Sequence, residues 1–335
     1  MNNNRNNLAE TLKQLCMQTG VSGFESMCGI SDYIYNEVKL INIETSIDKY
    51  GNVISIIGKK ENPRARIFLE AHMDEFGFIS TKMQNGMYEI KAQGDLAKIE
   101  KVENDKAFIV GSLESGSIKN GRFILDDDAQ SINIYDNPIV ISFARSFDIS
   151  SDRIIRASAL DDRVGCAVLI EIIKFIISRN LDDDQITFIF SVNEETKTSM
   201  WDMRDDFDFG IVIDAAYAQP ISFDGYTGKI SIPIIGNGCA IQHYGKGFSI
   251  KGHYIEKLKQ IANSENISIQ DEIPPQNDGY TNFASLNERC RGNGVVINIP
   301  VRDQHRAVST TSLDDVASAV NLISSLIGGR IWEVR

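Results

Sequence analysis

Four runs in this chain are apolar at nearly every position, not at alternate ones: ARIFLEAH over Ala65–His72, ITFIFSV over Ile186–Val192, FGIVI over Phe209–Ile213 and GVVINIP over Gly294–Pro300. A strand with one face in water alternates apolar and polar residues. A strand that does not alternate must be covered on both faces, which is the situation inside a parallel sheet flanked by helices. Helical stretches separate these runs. Leu8–Thr19 has helical periodicity and stops at Gly20, and Arg163–Ser178, Tyr254–Asn263 and Leu313–Ile327 follow later. The last carries apolar residues at 313, 316, 317, 320, 323 and 327, and Ser312 with Asp315 three residues on has the pattern of a capping box. Ile41–Ile57 reads as two strands about a turn at Asp48–Asn52. The alternation predicts an α/β fold with a mostly parallel sheet covered by helices on both faces.

Between Phe76 and about Ile155 the texture changes. Short alternating runs at Tyr88–Lys91, Ala107–Leu113, Gly121–Leu125 and Ile139–Ala144 are separated by Gly, Asn and Asp, and no long helix fits. This predicts a small β-rich domain over 76–155, inserted between residues 1–75 and 156–335, which together form the α/β domain.

Several function classes are excluded by composition. The net charge of −12 repels phosphate backbones, which argues against a nucleic-acid partner. Cys16, Cys28, Cys166, Cys239 and Cys290 are odd in number and form no CxxC pair, so no disulfide framework or thiolate metal site is expected and a reducing cytoplasm suits the chain. The asparagine-rich start is followed by no apolar segment of a secretory signal, and no apolar run approaches the roughly 18–20 residues that span a bilayer. The expectation is a cytoplasmic protein with no membrane partner.

In an open α/β sheet, ligands bind beyond the carboxyl ends of the strands. Those ends are chemically loaded here. Strand 65–72 ends in His72-Met-Asp74-Glu75, strand 186–192 runs into Asn193-Glu194-Glu195, strand 209–213 ends at Asp214, and strand 294–300 leads to His305. Asp161-Asp162 stands just before helix 163–178. Carboxylates gathered in one place repel unless a cation neutralises them, and a set of two imidazoles and three carboxylates suits zinc, cobalt or manganese better than calcium. Adjacent residues such as Glu194 and Glu195 can face different ways, one binding metal and the other taking a proton from water. Asp74 lies two residues from His72 on the same strand face and is placed to accept its second ring N–H. Each signal alone has a plainer explanation: Asp161-Asp162 as a helix cap, Glu194-Glu195 as a solvated loop, His72-x-Asp74 as a polar pair. The case is their joint occurrence. His243 and His253 read as structural or surface residues.

Seven segments carry a resemblance to a known family: Val21-Ser-Gly-Phe-Glu25, Gly51-Asn52, Ala71-His-Met-Asp-Glu-Phe-Gly77, Ala159-Leu-Asp-Asp-Arg-Val-Gly165, Asn193-Glu-Glu195, Val212-Ile-Asp214 and Ile299-Pro-Val-Arg-Asp-Gln-His305. On these the chain resembles the M42 glutamyl and deblocking aminopeptidases over nearly its whole length, and so the wider zinc exopeptidase fold. The resemblance implies two divalent metal ions per subunit, with Asp161 bridging them, His72 and Asp214 completing one site, and Glu195 and His305 the other. It implies Glu194 as general base, Asp74 orienting His72, and a cis peptide between Asp161 and Asp162. It implies hydrolysis of N-terminal residues from short peptides, a β-rich domain used for dimerisation, and a homo-oligomer between dimer and dodecamer.

The chain departs from the family pattern at Thr196–Trp201, where glycines are missing and the turn's backbone should differ. It also departs at Tyr217–Pro220, at Pro275-Gln-Asn-Asp278, and at Asp303 and Arg306. Arg306 is suited either to a substrate carboxylate or to a surface salt bridge. These departures leave two alternatives to the aminopeptidase: an amide hydrolase or deacylase acting on small N-acyl compounds, and a binding or assembly protein with impaired catalysis.

Overall fold

The computed structural model describes residues 2–41, 43–84, 87–94, 102, 104–112, 114–126, 139–181, 183–202, 206–219, 231–275 and 278–333; Leu113, Pro220, Gln276 and Asn277, named above, lie outside them. Helices α1 (Asn2–Cys16), α2 (Glu25–Cys28) and α3 (Ile30–Leu40) precede strands β1 (Glu44–Ile47), β2 (Val53–Gly58) and β3 (Arg66–His72). Six strands follow: β4 (Gly77–Gln84), β5 (Met87–Gln93), β6 (Lys106–Ile109), β7 (Ser115–Lys119), β8 (Arg122–Leu125) and β9 (Ile139–Phe143). The run expected at 107–113 therefore stops as a strand at Ile109, where the chain turns back through Ser112 N–H to Ile109 carbonyl. β10 (Phe147–Ile149) and β11 (Ile154–Ala157) lead to α4 (Leu160–Arg179), β12 (Gln185–Ser191), β13 (Phe209–Tyr217), β14 (Cys239–Gln242) and the short β15 (Tyr244–Gly245) and β16 (Phe248–Ser249). The chain continues through α5 (Gly252–Glu265), β17 (Ile269–Glu272), α6 (Phe283–Leu286), β18 (Gly294–Val301), β19 (Ser309–Ser312) and α7 (Leu313–Gly328).

Eight strands form one sheet in the order β1-β2-β12-β3-β13-β18-β14-β17. Its centre, β12-β3-β13-β18, is parallel, as continuous apolar runs require. The sheet as a whole is mixed: β14–β17 is also parallel, so four of its seven pairs are, while β1–β2, β2–β12 and β18–β14 pair antiparallel. The reason at the β1 end is local. Asp48 Oδ1 accepts from the backbone N–H of Tyr50 and of Asn52, which closes a turn too short for anything but a hairpin.

Helix α4 is apolar on almost every side, and eight Leu, Ile and Val side chains along it are fully buried: 160, 164, 168, 169, 170, 172, 173 and 176. Such a helix must be enclosed, and it lies between β3, β13 and β18 on one side and α1 and α7 on the other. Each of those side chains contributes about 1.5–3 kcal/mol on burial. That outweighs the roughly 1–3 kcal/mol expected for Ala159, held at a left-handed φ of 54° at the start of the helix.

Strands β4–β9 close into a barrel in the order β4-β5-β8-β7-β6-β9, with a separate core that includes Phe78, Tyr88, Ile118, Phe123, Ile141 and Phe143. At α7 the capping-box expectation fails. Ser312 Oγ accepts from Asp314 N–H, but the Asp315 carboxylate turns away from the cap and accepts instead from Gly236 N–H and Gly238 N–H, each at 2.7 Å. A distant loop with two free amides competes for that carboxylate and wins.

Candidate metal centre

Register sets the first two groups. Glu70 of β3 lies opposite Val212 of β13, so two residues further along the same parallel pair His72 comes beside Asp214. Strand β13 does not end at Asp214 as the sequence suggested. It continues to Tyr217 because β18 pairs with it up to Val301, which leaves Asp214 inside a strand with its carboxylate on the cleft side.

Asp161 and Asp162 divide two roles between them. Asp161 and Asp162 break the regular helix within α4, and Asp162 Oδ1 accepts from Gly165 N–H at 2.9 Å, capping the part that follows; a Cβ at Gly165 would sit 2.2 Å from Asp162 Oδ2, so only glycine fits there. Their peptide is cis, and the Asp161 carboxylate points the other way. Its Oδ1 lies 3.1 Å from His72 Nε2 and its Oδ2 lies 3.5 Å from His305 Nε2. His72 Nε2 is also 3.5 Å from Asp214 Oδ1, and His305 Nε2 is 3.2 Å from Glu195 Oε2. The structure thus brings together His72, Asp161 and Asp214 in one group and Asp161, Glu195 and His305 in another, with Asp161 common to both.

Asp74 is the organiser beneath them. Its Oδ1 accepts from Glu194 N–H and its Oδ2 from Glu195 N–H, both at 3.1 Å, and Ser22 Oγ donates to it at 2.7 Å. Two successive amides held by one carboxylate force the two side chains apart: Glu195 toward His305, Glu194 into the cleft, where its Oε2 is 3.9 Å from His72 Nε2. The contact from Asp74 to the His72 ring is closer from the Asp74 carbonyl, at 3.2 Å, than from its carboxylate, at 3.5 Å. Ahead of the pair Asn193 sits at φ 62°, and after it Lys197 sits at φ 57°, a left-handed position that a glycine would occupy without strain.

Burial dominates the electrostatics. It raises the carboxyls of Glu194, Glu195 and Asp214; repulsion adds to this, from Asp214, Glu195 and Asp74 at Glu194 and from Asp161 at Glu195 and Asp214. Burial also opposes ionisation of Asp161, but hydrogen bonds and charge from His305 and His72 hold it well below the usual carboxylate range. Burial would lower His72 and His305, yet the surrounding carboxylates push both well above an ordinary imidazole.

The donor set fits divalent ions. Ligands on a tetrahedral zinc at bond lengths of about 2 Å stand about 3.3 Å apart, and the four imidazole-to-carboxylate spacings above run from 3.1 to 3.5 Å. Glu195 Oε1 is buried with no hydrogen-bond partner among the described residues, an orphan that a cation would satisfy.

The residues around the cluster link the sheet to the barrel. Phe76 stacks on the His305 ring with centroids 5.6 Å apart. Arg306 pairs bidentately with Asp105, Nε to Oδ2 and an Nη to Oδ1 at 2.8 Å each, and Ala307 N–H adds a third bond to the same carboxylate. Arg306 is therefore a salt-bridge residue that ties the His305 loop to the barrel. His243 pairs with Asp271, and exposed His253 lies against Tyr254; neither joins the cluster.

Glu70, buried in β3 two residues before His72, accepts from Ser191 Oγ and Asn282 Nδ2, and burial still pushes its carboxyl up to about 7. Because the folded value lies above the unfolded value of about 4.3, the native state holds the extra proton between them. Stability is full below about pH 4 and is lost as pH rises through about 7. Glu70→Gln keeps the shape and cannot ionise, so in thermal scans it should melt roughly 3–8 °C above the parent at pH 8 and level with it at pH 4. A constant difference at both pH values would remove the titration as its cause.

The cluster opens into a cleft of about 820 Å³ whose far wall includes Gln242, Glu272, Asp278, Tyr280 and Asn298. Of these the sequence had singled out only Asp278, as part of a departure from the family pattern. The one available signal was the polar Asn298 inside the otherwise apolar run GVVINIP.

An α/β sheet with an imidazole–carboxylate cluster at the carboxyl edge of its parallel strands is the arrangement expected of a metal-dependent hydrolase. Residues 124–322 match the sequence model of the M42 glutamyl aminopeptidases. A protein of Acetivibrio thermocellus named as a proposed aminopeptidase is 28% identical, with 95% of this chain and 98% of that one aligned. The lysyl aminopeptidase of Pyrococcus furiosus is 25% identical over 95% of this chain and 96% of its own. The TET1 peptidase of Pyrococcus horikoshii, which assembles into a tetrahedron or a large octahedral shell, shares the fold with a TM-score of 0.73 at 23% identity, covering 96% of this chain and 99% of its own. The chain belongs to the M42 glutamyl aminopeptidase family and is a peptide-bond hydrolase.

Proposed function

We propose that the protein is a dinuclear metal aminopeptidase that releases N-terminal residues from short peptides. The observation that supports this best is the two-sided use of Asp161, each oxygen at ligand spacing from a different imidazole. His72 and Asp214 would complete one ion's set, Glu195 and His305 the other's, with zinc the best match and cobalt or manganese able to substitute. Ions held there would supply Lewis acidity toward a carbonyl and would acidify water. Glu194, in the cleft but outside both ligand groups, accepts the water proton and returns it to the departing amine. Asp74 holds the Glu194–Glu195 backbone so that base and ligand keep different directions.

The same reading extends to organisation. Residues 1–75 and 156–335 act as the catalytic domain, with helices on both faces of its sheet, and 76–155 as an inserted dimerisation unit. The assembly of the Pyrococcus horikoshii relative supports a homo-oligomer, from dimer to dodecamer. Among the described residues no helix is long and apolar enough to cross a membrane.

The test is to load the purified chain with zinc or cobalt and offer tripeptides with free and with acetylated N-termini. Release of the first residue from the free peptides, at least roughly tenfold faster than any cleavage of the acetylated ones, is expected. Preferential cleavage of the acetylated substrates would replace this reading with the deacylase.

A further inference from the structure

The proposed chemistry uses Asp161, Glu194, Glu195 and Asp214, but the cleft is lined by two more carboxylates, Glu272 and Asp278. Neither has a cationic partner among the described residues. Glu272 is 6% exposed, and among the described residues its side chain has one hydrogen bond, from Asn298 Nδ2 at 2.7 Å. Burial, with repulsion from Asp214 and Asp278, pushes its carboxyl up to about 8.

These residues form a row along the sheet. Asn298 of β18 is the register partner of the cluster residue Asp214 on β13, one strand spacing of about 4.8 Å away. Gln242 of β14 is the register partner of Glu272 on β17. The Asn298 amide bridges the two pairs, donating to Gln242 Oε1 at 3.0 Å and to Glu272 Oε2. Asn298 is itself 2% exposed, lines the cleft, and has its Oδ1 buried with no donor among the described residues. A buried carboxyl that holds its proton for want of a cation, a second carboxylate beside it and an acceptor without a donor would all be satisfied by one group that is positive and carries several N–H bonds.

We propose that this row is the pocket for the side chain of the substrate's first residue, and that it selects a basic one, lysine or arginine. The proposal rests on the aminopeptidase reading above. A residue cleaved beside Asp214 has its side chain directed along the strand ends, over Asn298, and a long aliphatic stem carries its cationic head to Glu272 and Asp278. The opposing feature is Lys197, which also lines the cleft. It is exposed, and its Nζ lies over the Tyr280 ring, 5.7 Å from the centroid, so it sits at the rim and leaves the buried row acidic.

The test uses the full metal-loaded chain and three p-nitroanilides: lysyl, norleucyl and glutamyl. Norleucine keeps the four-carbon stem without the ammonium. The lysyl substrate should show a kcat/KM at least roughly tenfold above the other two. Glu272→Gln and Asp278→Asn, both near-isosteric, should each bring the lysyl-to-norleucyl ratio toward one. A preference for norleucine or glutamate, or a ratio unchanged in both variants, would overturn the pocket. If none of the three is cleaved while N-acetyl substrates are, the aminopeptidase reading has failed and binding decides the pocket. Calorimetry should then show lysinamide binding at least roughly tenfold tighter than norleucinamide, with the difference lost in Glu272→Gln. Equal affinities would sink it.

Discussion

Replacing Glu194 by glutamine should lower turnover by about 10²–10⁴-fold while the protein still retains about two metal ions. The argument is geometric. Asp74 fixes the backbone of Glu194 and Glu195 through both carboxylate oxygens, and the amide of glutamine preserves that backbone and the side-chain volume. What disappears is one acceptor able to take a proton. Glu194 belongs to neither three-residue ligand group, so metal content should hold, and KM should move far less than kcat because substrate binding does not depend on proton transfer. Steady-state kinetics with plasma mass spectrometry on the same preparation separates the cases. Full activity would show that another group is the base. Loss of metal together with activity would make Glu194 a ligand.

The other large effect belongs to Asp161. It is the one residue common to both ligand groups, with one oxygen turned to each histidine. Asp161→Ala should therefore take metal content from about two ions per chain to below one and activity down by more than about 10³-fold, whereas His72→Ala should empty only one site. The neighbouring carboxylate is the control. Asp162 caps α4 through Gly165 N–H and faces neither histidine. Asp162→Asn should keep both ions and cost only about 0.5–2 kcal/mol of stability, the usual value of a helix cap. Equal metal loss in the two variants would mean that the pair acts as one unit.

Much of this protein was legible before any coordinates. The unbroken apolar runs required strands buried on both faces, and that placed 65–72, 186–192, 209–213 and 294–300 in the interior of one sheet. The carboxylates and imidazoles at the ends of those runs were visible as chemistry, because polar groups of that kind next to buried strands need a reason. Residues that pair by local hydrogen bonding, such as Asp48 with Tyr50 and Asn52, were equally readable as a turn.

Other features depended on groups far apart in the chain, and no local pattern encodes them. The capping box at Ser312 had the right spacing, but Gly236 and Gly238 offered Asp315 two better donors. Asp214 looked terminal because the apolar run stopped there; β18, some eighty residues later, extends the strand to Tyr217. The acid pair 161–162 allowed a cap or a ligand, and only the turn before α4 showed that each residue takes one of the two roles. The Arg306–Asp105 tie joins two loops, and the row Asp214, Asn298, Gln242, Glu272 joins four strands; each exists only because segments distant in sequence meet in the fold. Sequence alone determined which segments are buried and which chemistry stands at their ends, since burial and local turns are short-range. Direction, pairing and division of labour among the carboxylates were decided by the tertiary structure, because each depends on which distant donor lies closest.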